Sequence, residues 1–560
     1  MTEGEIDYNI VPGTTILVDA TGALQAEHAK GTKDIILIPT PSEDPNDPLN
    51  WTRARKYLCA FCMVVYTFGI GVNTAAIYSV LTDVSEATGI SVAALNEGTG
   101  YMFLFLGIGN FFFQPLARQY GKRPVYLFSM FATCLVSVWA PFVKARSHQI
   151  ADRILIGFFS SPIESLCEIT ITDIFFEHER ATWLGIYGLA LVTSNFLAPV
   201  FAGLITQGIG YKWVFNLCCI WMAVCFVFLF FFFEETNYDR KLSPKIIDAA
   251  AVDSDSIELN GSEAVVIDEE KKLDTYKSPD INQIISQQTN QNYTTQTIQY
   301  SSKVKTWREK LSLTAGFGEK NLFWHFFLGP FKMVVFPSVL WSGFCYGSSL
   351  VWFTVLNATS ATILSAEPYH FNSSLRGVAY MSPFIFSCLC YFVAGYLSDK
   401  LKIYIARKRG GVSYAEDRLW VMALYSVLGA LAAFGWGLSA YFDQNWFLLI
   451  ICFGVLGGLG VIGATGTVTY TSDCYHELDS EAMVIVIIIR NVMSFAVSYG
   501  IGPWIDNLGL KKTFISVGFI CLFCQGSFII MRYTGPYWRN KTKGLYWRMV
   551  ENDRRVRNGH

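Results

Sequence analysis

Apolar runs long enough to cross a lipid bilayer recur twelve times along this chain, at 57–81, 95–116, 125–145, 151–172, 183–205, 213–233, 334–356, 377–397, 419–440, 447–470, 482–504 and 513–533. A crossing helix needs roughly 20 mostly apolar residues, because each residue adds about 1.5 Å and the hydrocarbon layer is about 30 Å thick. No water in that layer satisfies a backbone N–H or C=O, so such a run must be a helix that pairs its own backbone. Composition agrees: 52% of the 560 residues are hydrophobic and 16% are charged, against roughly 25% charged in soluble domains. The expected fold is all-α and polytopic, with twelve transmembrane helices in two six-helix pseudo-repeats. A net charge of −2 predicts no nucleic-acid partner.

One connection is long. Residues 234–333 are acidic and then rich in Gln, Asn and Thr (Gln287-Gln288-Thr289-Asn290-Gln291-Asn292), without helical period. They read as a largely disordered linker. Its end, Leu322 to Phe331, carries Trp324 and His325 among apolar residues and reads as an interfacial helix. The expected divisions are an N-terminal segment (1–56), a first bundle (57–233), the linker (234–333), a second bundle (334–533) and a basic tail (534–560).

Basic residues set the orientation. Arg118, Lys122 and Arg123 follow run two, Lys400 to Arg409 follow run eight, and the tail is rich in Arg and Lys, whereas 82–94 and 441–446 have no Lys or Arg. Both termini are therefore expected in the cytosol. One cytosolic loop, after run ten, is acidic instead (Asp473, Glu477, Asp479, Glu481). No apolar core lies near Met1, so no cleaved signal is expected, and run one would itself target the chain to the membrane. Asn372, in Asn-Ser-Ser on the outer side, is a candidate glycosylation site. Thirteen of the fourteen cysteines lie in apolar runs, so no structural disulfide is expected.

An ionisable residue near the bilayer centre costs roughly 2.5–3.5 kcal/mol on insertion scales, which makes each one a functional candidate. Run four carries Arg153, Glu164, Glu168 and, at its inner end, Asp173. Glu164 falls near the midplane, and Gly157, Ser161, Glu164 and Glu168 share one helix face. Two readings stand: a structural ion pair, for which Arg490 in run eleven is a partner, or a site that exchanges protons and attracts a cation. Tyr66 and Asn73 in run one, and Trp341, Phe344, Ser348 and Trp352 on a stripe of run seven, are candidate substrate contacts; ordinary packing is the competing reading. Run ten is glycine-rich, which permits close packing or bending.

The loop Gln114-Pro115-Leu116-Ala117-Arg118-Gln119-Tyr120-Gly121-Lys122-Arg123-Pro124 is similar to the G-x-x-x-D-R-x-G-R-R loop of the major facilitator superfamily. Gly121, Lys122 and Arg123 fit. Arg118 stands where that family has the Asp of its conformational latch, and Gln119 where it has Arg. The matching loop of the second half keeps the acid, as Asp399. Arg153-x-x-x-Gly157 resembles the family's proton-linked arginine motif, and Asn195 to Gly203, with Ala198, Pro199 and Gly203, resembles its antiporter motif. Glu234-Glu235-Thr236-Asn237-Tyr238-Asp239-Arg240 and Asp44 to Trp51 look fungal. Glu164-Ser165 and Asp173-Ile174-Phe175-Phe176 resemble the histidinol/polyamine branch of the fungal twelve-span drug:proton antiporters.

The resemblance implies a proton-coupled carrier of amphipathic organic cations or drugs at the plasma membrane, an exporter acting as a monomer without cofactor or metal. Uptake of polyamines or histidinol-like cations is the alternative, and a non-transporting sensor a third. No GxxxxGK[ST] phosphate loop and no nucleophile triad is present, so neither ATP-driven transport nor an enzyme is expected.

Overall fold

A computed structural model describes residues 11–16, 46–238, 307–312, 321–408 and 412–558. The first half contains α1 (Arg53–Ala75), the short α2 (Leu81–Thr88), α3 (Val92–Tyr120), α4 (Lys122–Trp139), α5 (Arg146–Ser160), α6 (Pro162–Ile174), α7 (Glu177–Ile209) and α8 (Tyr211–Phe232). Within 234–333 lie α9 (Trp307–Lys310) and α10 (Phe323–Met333), and after it come α11 (Pro337–Ser365), α12 (Ser373–Ala379), α13 (Met381–Phe392), α14 (Ser398–Lys408), α15 (Met422–Tyr441), α16 (Trp446–Cys474), α17 (Asp479–Gly526) and α18 (Phe528–Asn558). The expected linker core lies outside the described residues, while α10 forms where an interfacial helix was expected.

Eleven helical units among the described residues are long and apolar enough to span a membrane. The last of these, His476–Val556, is two spans in one. Its α17 has 48 residues, about 72 Å at ~1.5 Å per residue and far beyond one bilayer. Gly509 breaks it with φ 71° and ψ 161°, a conformation essentially restricted to glycine. Counted across that break, the described residues hold twelve spans.

Two further spans are interrupted. Span four restarts at Ser161-Pro162, where Pro162 has no N–H to donate and its fixed φ suits a first helical turn. Span eight joins α13 to α14 through a π turn, Val393–Leu397. The core of the first half gathers Met63, Tyr66, Ile70, Met130, Leu166 and Met222. The outward faces of α8 instead expose Phe230, Phe231 and Phe232, as a helix against lipid does.

The first described segment and the last helix meet on one face, here the termini face. Strand β1 (Thr14–Ile16) pairs antiparallel with β2 (Val412–Tyr414), Thr14 opposite Tyr414. The basic tail is helical to Asn558 and packed. Its basic count hides an i, i+4 apolar stripe, Tyr546 and Val550, both 2% exposed. Arg539 is fully buried, ion-paired with equally buried Glu416, and donates to the Pro12 carbonyl. The acidic loop after span ten is explained the same way. Asp473 accepts from Lys402 and Arg418, both at 2.8 Å, Glu477 pairs with Arg554 at 3.3 Å, and Glu481 pairs with Arg118.

Candidate functional site

The restart of span four puts Glu164 in the first turn of α6, where a helix N-terminus favours negative charge. There it reaches across to the second half. The Glu164 carboxylate is ion-paired with the Arg490 guanidinium of α17, and the two side chains are 8% and 7% exposed. Its other oxygen accepts from Asn491 Nδ2 at 2.8 Å. Arg490 also donates to Asn491 Oδ1 at 2.9 Å and to Tyr346 Oη of α11 at 3.0 Å. Asn491 approaches because residue 107 is glycine; a Cβ there would stand 3.0 Å from the Asn491 Cβ. Four side chains from three helices thus close a bond network across the seam between the halves. Arg490, the partner that the sequence reading named for Glu164, is thus in place.

Glu168, one turn along α6, is half-buried and makes no hydrogen bond or ion pair among the described residues. Tyr346, Tyr187 and Asp479 share its electrostatic surroundings. The expected four-residue face is split by the break. Gly157 packs on the Met102 backbone of α3 and Ser161 on Gly109 of the same helix, while Glu164 turns to α17.

Each rim of the seam has its own closure. On the termini face, Arg118 at the end of α3 is ion-paired with Glu481 at the start of α17, and Gln114 Nε2 donates to the Ser480 carbonyl at 2.9 Å. Helix α10 covers this pair: the Arg118 guanidinium lies 4.8 Å from the Phe326 ring centre. The loop glycine Gly121 has φ 112°, which a side chain would strain. Lys122 is ion-paired with Asp173 of the first half. Arg123 donates to the carbonyls of Phe233 (2.8 Å), Phe230 (2.7 Å) and Ser312 (3.1 Å), while Glu235 caps the start of α4. The Asp399 side chain lies outside the described residues.

On the opposite rim, Arg376 of α12 is ion-paired with Asp83 of α2 at 2.6 Å, and Ser373 donates to the same carboxylate at 2.6 Å. The antiporter-like residues sit here. Gly203 packs on Gly377, a Cβ at Gly377 would stand 2.8 Å from the Pro199 carbonyl oxygen, and that oxygen accepts from Ser79 at 2.7 Å. Ala198 is buried beside them. Asn372 is exposed, with its Oδ1 capping α12 through Leu375 N–H at 2.9 Å.

The remaining candidates are not gathered at the seam. Tyr66 is fully buried in the first half, bonded to Ser129 at 2.6 Å and edge-on to Tyr126. Asn73 accepts from Ser137 at 3.0 Å. Trp341 donates to Ser527 at 3.0 Å, Ser348 accepts from Gln525 at 2.5 Å, and Trp352 is 4% exposed in the core. Arg153 is buried next to Asp152. The sequence reading missed Tyr346, Asn491, Glu481, Asp83 and Arg376 as seam residues. Arg376 carried a signal, as a basic residue beside an outer loop on a face poor in Lys and Arg.

A family model described as Major Facilitator Superfamily matches residues 59–495. An uncharacterised MFS-type transporter of Schizosaccharomyces pombe is 28% identical, covering 96% of this chain and 94% of its own. Protein HOL1 of Saccharomyces cerevisiae is 25% identical, with 97% of both chains covered. The MFS antiporter QDR3 of Candida albicans is 22% identical over 90% of this chain and 81% of its own. In fold, the chain is similar to the xylose transporter XylE from E. coli in a partially occluded inward open conformation, with a TM-score of 0.53 and 11% identity, over 85% of this chain and 97% of that one.

Proposed function

We propose, from the premise that this chain belongs to the Major Facilitator Superfamily and is one of its secondary transporters, that it exchanges amphipathic organic cations or drugs for protons at the plasma membrane, outward from the cell. The observation that carries this reading is the Glu164–Arg490–Asn491–Tyr346 network across the seam, with Glu168 unpaired one turn away. A proton on Glu164 removes the charge that holds Arg490, so the halves lose their central tie. The unpaired Glu168 offers a carboxylate to a cation among Tyr346 and Tyr187, whose rings suit cationic ligands. The halves would then rock about this midplane site, each rim closing in turn. Export rests on the antiporter-like residues around Pro199 at the opposite rim, and on the likeness to an antiporter of Candida albicans. The Lys and Arg bias supports a cytosolic termini face.

Uptake of polyamines is the second reading. It is favoured by two carboxylates spaced i, i+4 on α6, which match a ligand with more than one amine. Proteoliposomes with an imposed pH gradient and a competition panel of drugs and polyamines separate the two by direction and by competitor. Glu164→Gln is expected to abolish gradient-driven movement, since it leaves Arg490 buried without a counter-charge, a change worth about 3–5 kcal/mol in buried pairs. Unchanged pH-dependent transport in that variant would sink the role of Glu164.

A further inference from the structure

We propose that Asp152 is a second proton-exchanging carboxylate of the transport cycle, placed inside the first half toward the rim opposite the termini. It lies twelve residues before Glu164 on the same span, about 18 Å along the helix axis. The inference rests on the proton-coupled reading above. Asp152 is 0% exposed, and neither of its oxygens has a hydrogen-bond partner among the described residues. Arg153, 2% exposed, approaches it only to 3.8 Å, too far for a hydrogen bond, and its Nε and Nη1 are likewise unpartnered. Two more buried donors, Gln149 Nε2 and Asn73 Nδ2, are unpartnered as well.

These groups belong to one layer. Gln149 and Arg153 both flank Gly98 of α3. Ser129 of α4 donates to the Phe159 carbonyl of α5 at 2.6 Å, which sets the antiparallel register of those helices. About two turns further along each, Ser137 and Asp152 come level, and Ser137 is bonded to Asn73 of α1. Unfilled donors and an unfilled carboxylate therefore lie at one level of the first half, none of them satisfied. That is not this chain's habit with buried charge: Glu416 and Arg539 are just as buried and doubly bonded.

A buried carboxylate without donors is costly when ionised and much less so when it carries a proton. Loss of that proton favours a turn of the Arg153 and Gln149 side chains of α5 and of Asn73 of α1 toward Asp152, which alters the packing of α5 on α1 and, at Gly98, on α3. Because α5 continues into α6, the proton state at residue 152 reaches Glu164 through span four. The charged group facing Asp152 is Arg153. Tyr78 beyond α1 and Cys218 of α8 are the titratable groups in the field of Arg153. On the rim above, Arg146 is ion-paired with Glu97 of α3, and His148 lies against Trp139 of α4.

The test uses the full chain in proteoliposomes, with labelled spermidine and ethidium as probes. Gradient-driven accumulation is compared with gradient-free counterflow for wild type, Asp152→Asn and Asp152→Glu. The Asn variant is expected to lose accumulation on the order of tenfold, a usual scale for coupling between sites, while counterflow persists; the Glu variant is expected to restore accumulation. Asp152→Asn accumulating like wild type overturns the proposal. So does equal loss of both activities without rescue by Glu, which marks a structural role. A wild type that moves neither probe, or ignores the gradient, overturns the proton-coupled reading itself.

Discussion

The two rims at which the halves meet are closed by different physics. The rim opposite the termini closes by backbone approach: Gly203 lies against Gly377, and Ser79 bonds the Pro199 carbonyl. The ion pair of Arg376 with Asp83 sits beside this contact, and the Asp83 side chain is 25% exposed. The termini rim closes by charge under cover. Arg118 meets Glu481, 6% exposed, beneath Phe326 of α10, while Gln119 Oε1 accepts from Leu322 N–H at 2.9 Å and His325 meets Asp553 at 3.1 Å. A contact made of small residues tolerates no added bulk but is indifferent to charge. A covered ion pair tolerates shape changes but depends on sign.

The largest expected effect tests the first half of that contrast. Gly377→Leu drives atoms into the Pro199 and Val200 carbonyls, and overpacking of this kind costs about 1–3 kcal/mol or more. Transport should fall by an order of magnitude or more, with cysteines placed at that rim staying open to hydrophilic thiol reagents. Normal transport would show that the rim need not close on Gly203. The next effect belongs to the termini rim. Arg118→Glu sets two carboxylates face to face, and either this variant or Glu481→Arg should impair transport severalfold, as expected for a pair largely out of water. The double exchange should recover most of it, which a merely bulky contact would not do.

Arg376→Gln should weaken transport less, because it removes one charge without setting two like charges face to face, and the Asp83 it leaves is 25% exposed and can be solvated. The deficit should shrink as salt rises, and a salt-independent loss would assign Arg376 another role. Smallest is Asn372→Gln. It should remove a glycan-sized mobility shift on gels of the chain expressed in a eukaryotic host, and leave transport within about twofold, since the cap it alters is worth about 1 kcal/mol. No shift would place Asn372 outside the glycosylated set.

How far the sequence reached differs by kind of residue. The spans were legible because length and apolarity are local properties. Even the long α17 reads as two runs, 482–504 and 513–533, and the gap between them contains the breaking Gly509. Glu164 and Arg490 were legible as costly charges, but they are more than three hundred positions apart, and their bond to each other is tertiary. The aromatic stripe of span seven did not reveal its partners. Its spacing is real, yet Trp341 and Ser348 are taken up by Ser527 and Gln525 of the last span, while Tyr346, off that stripe, holds Arg490. Arg118 at the position of a family Asp looked like a lost latch. Its charge is answered by Glu481, in a loop whose acidity had no local explanation.

By itself, then, the sequence determined that this chain is a bundle of membrane helices in two halves, because a water-free layer leaves an apolar run no other way to satisfy its backbone. Only the tertiary structure decided which charges meet. Partner choice depends on helix rotation, on the break at Ser161-Pro162, and on glycines such as Gly107 and Gly377 that let particular faces approach. None of these is a property of one segment.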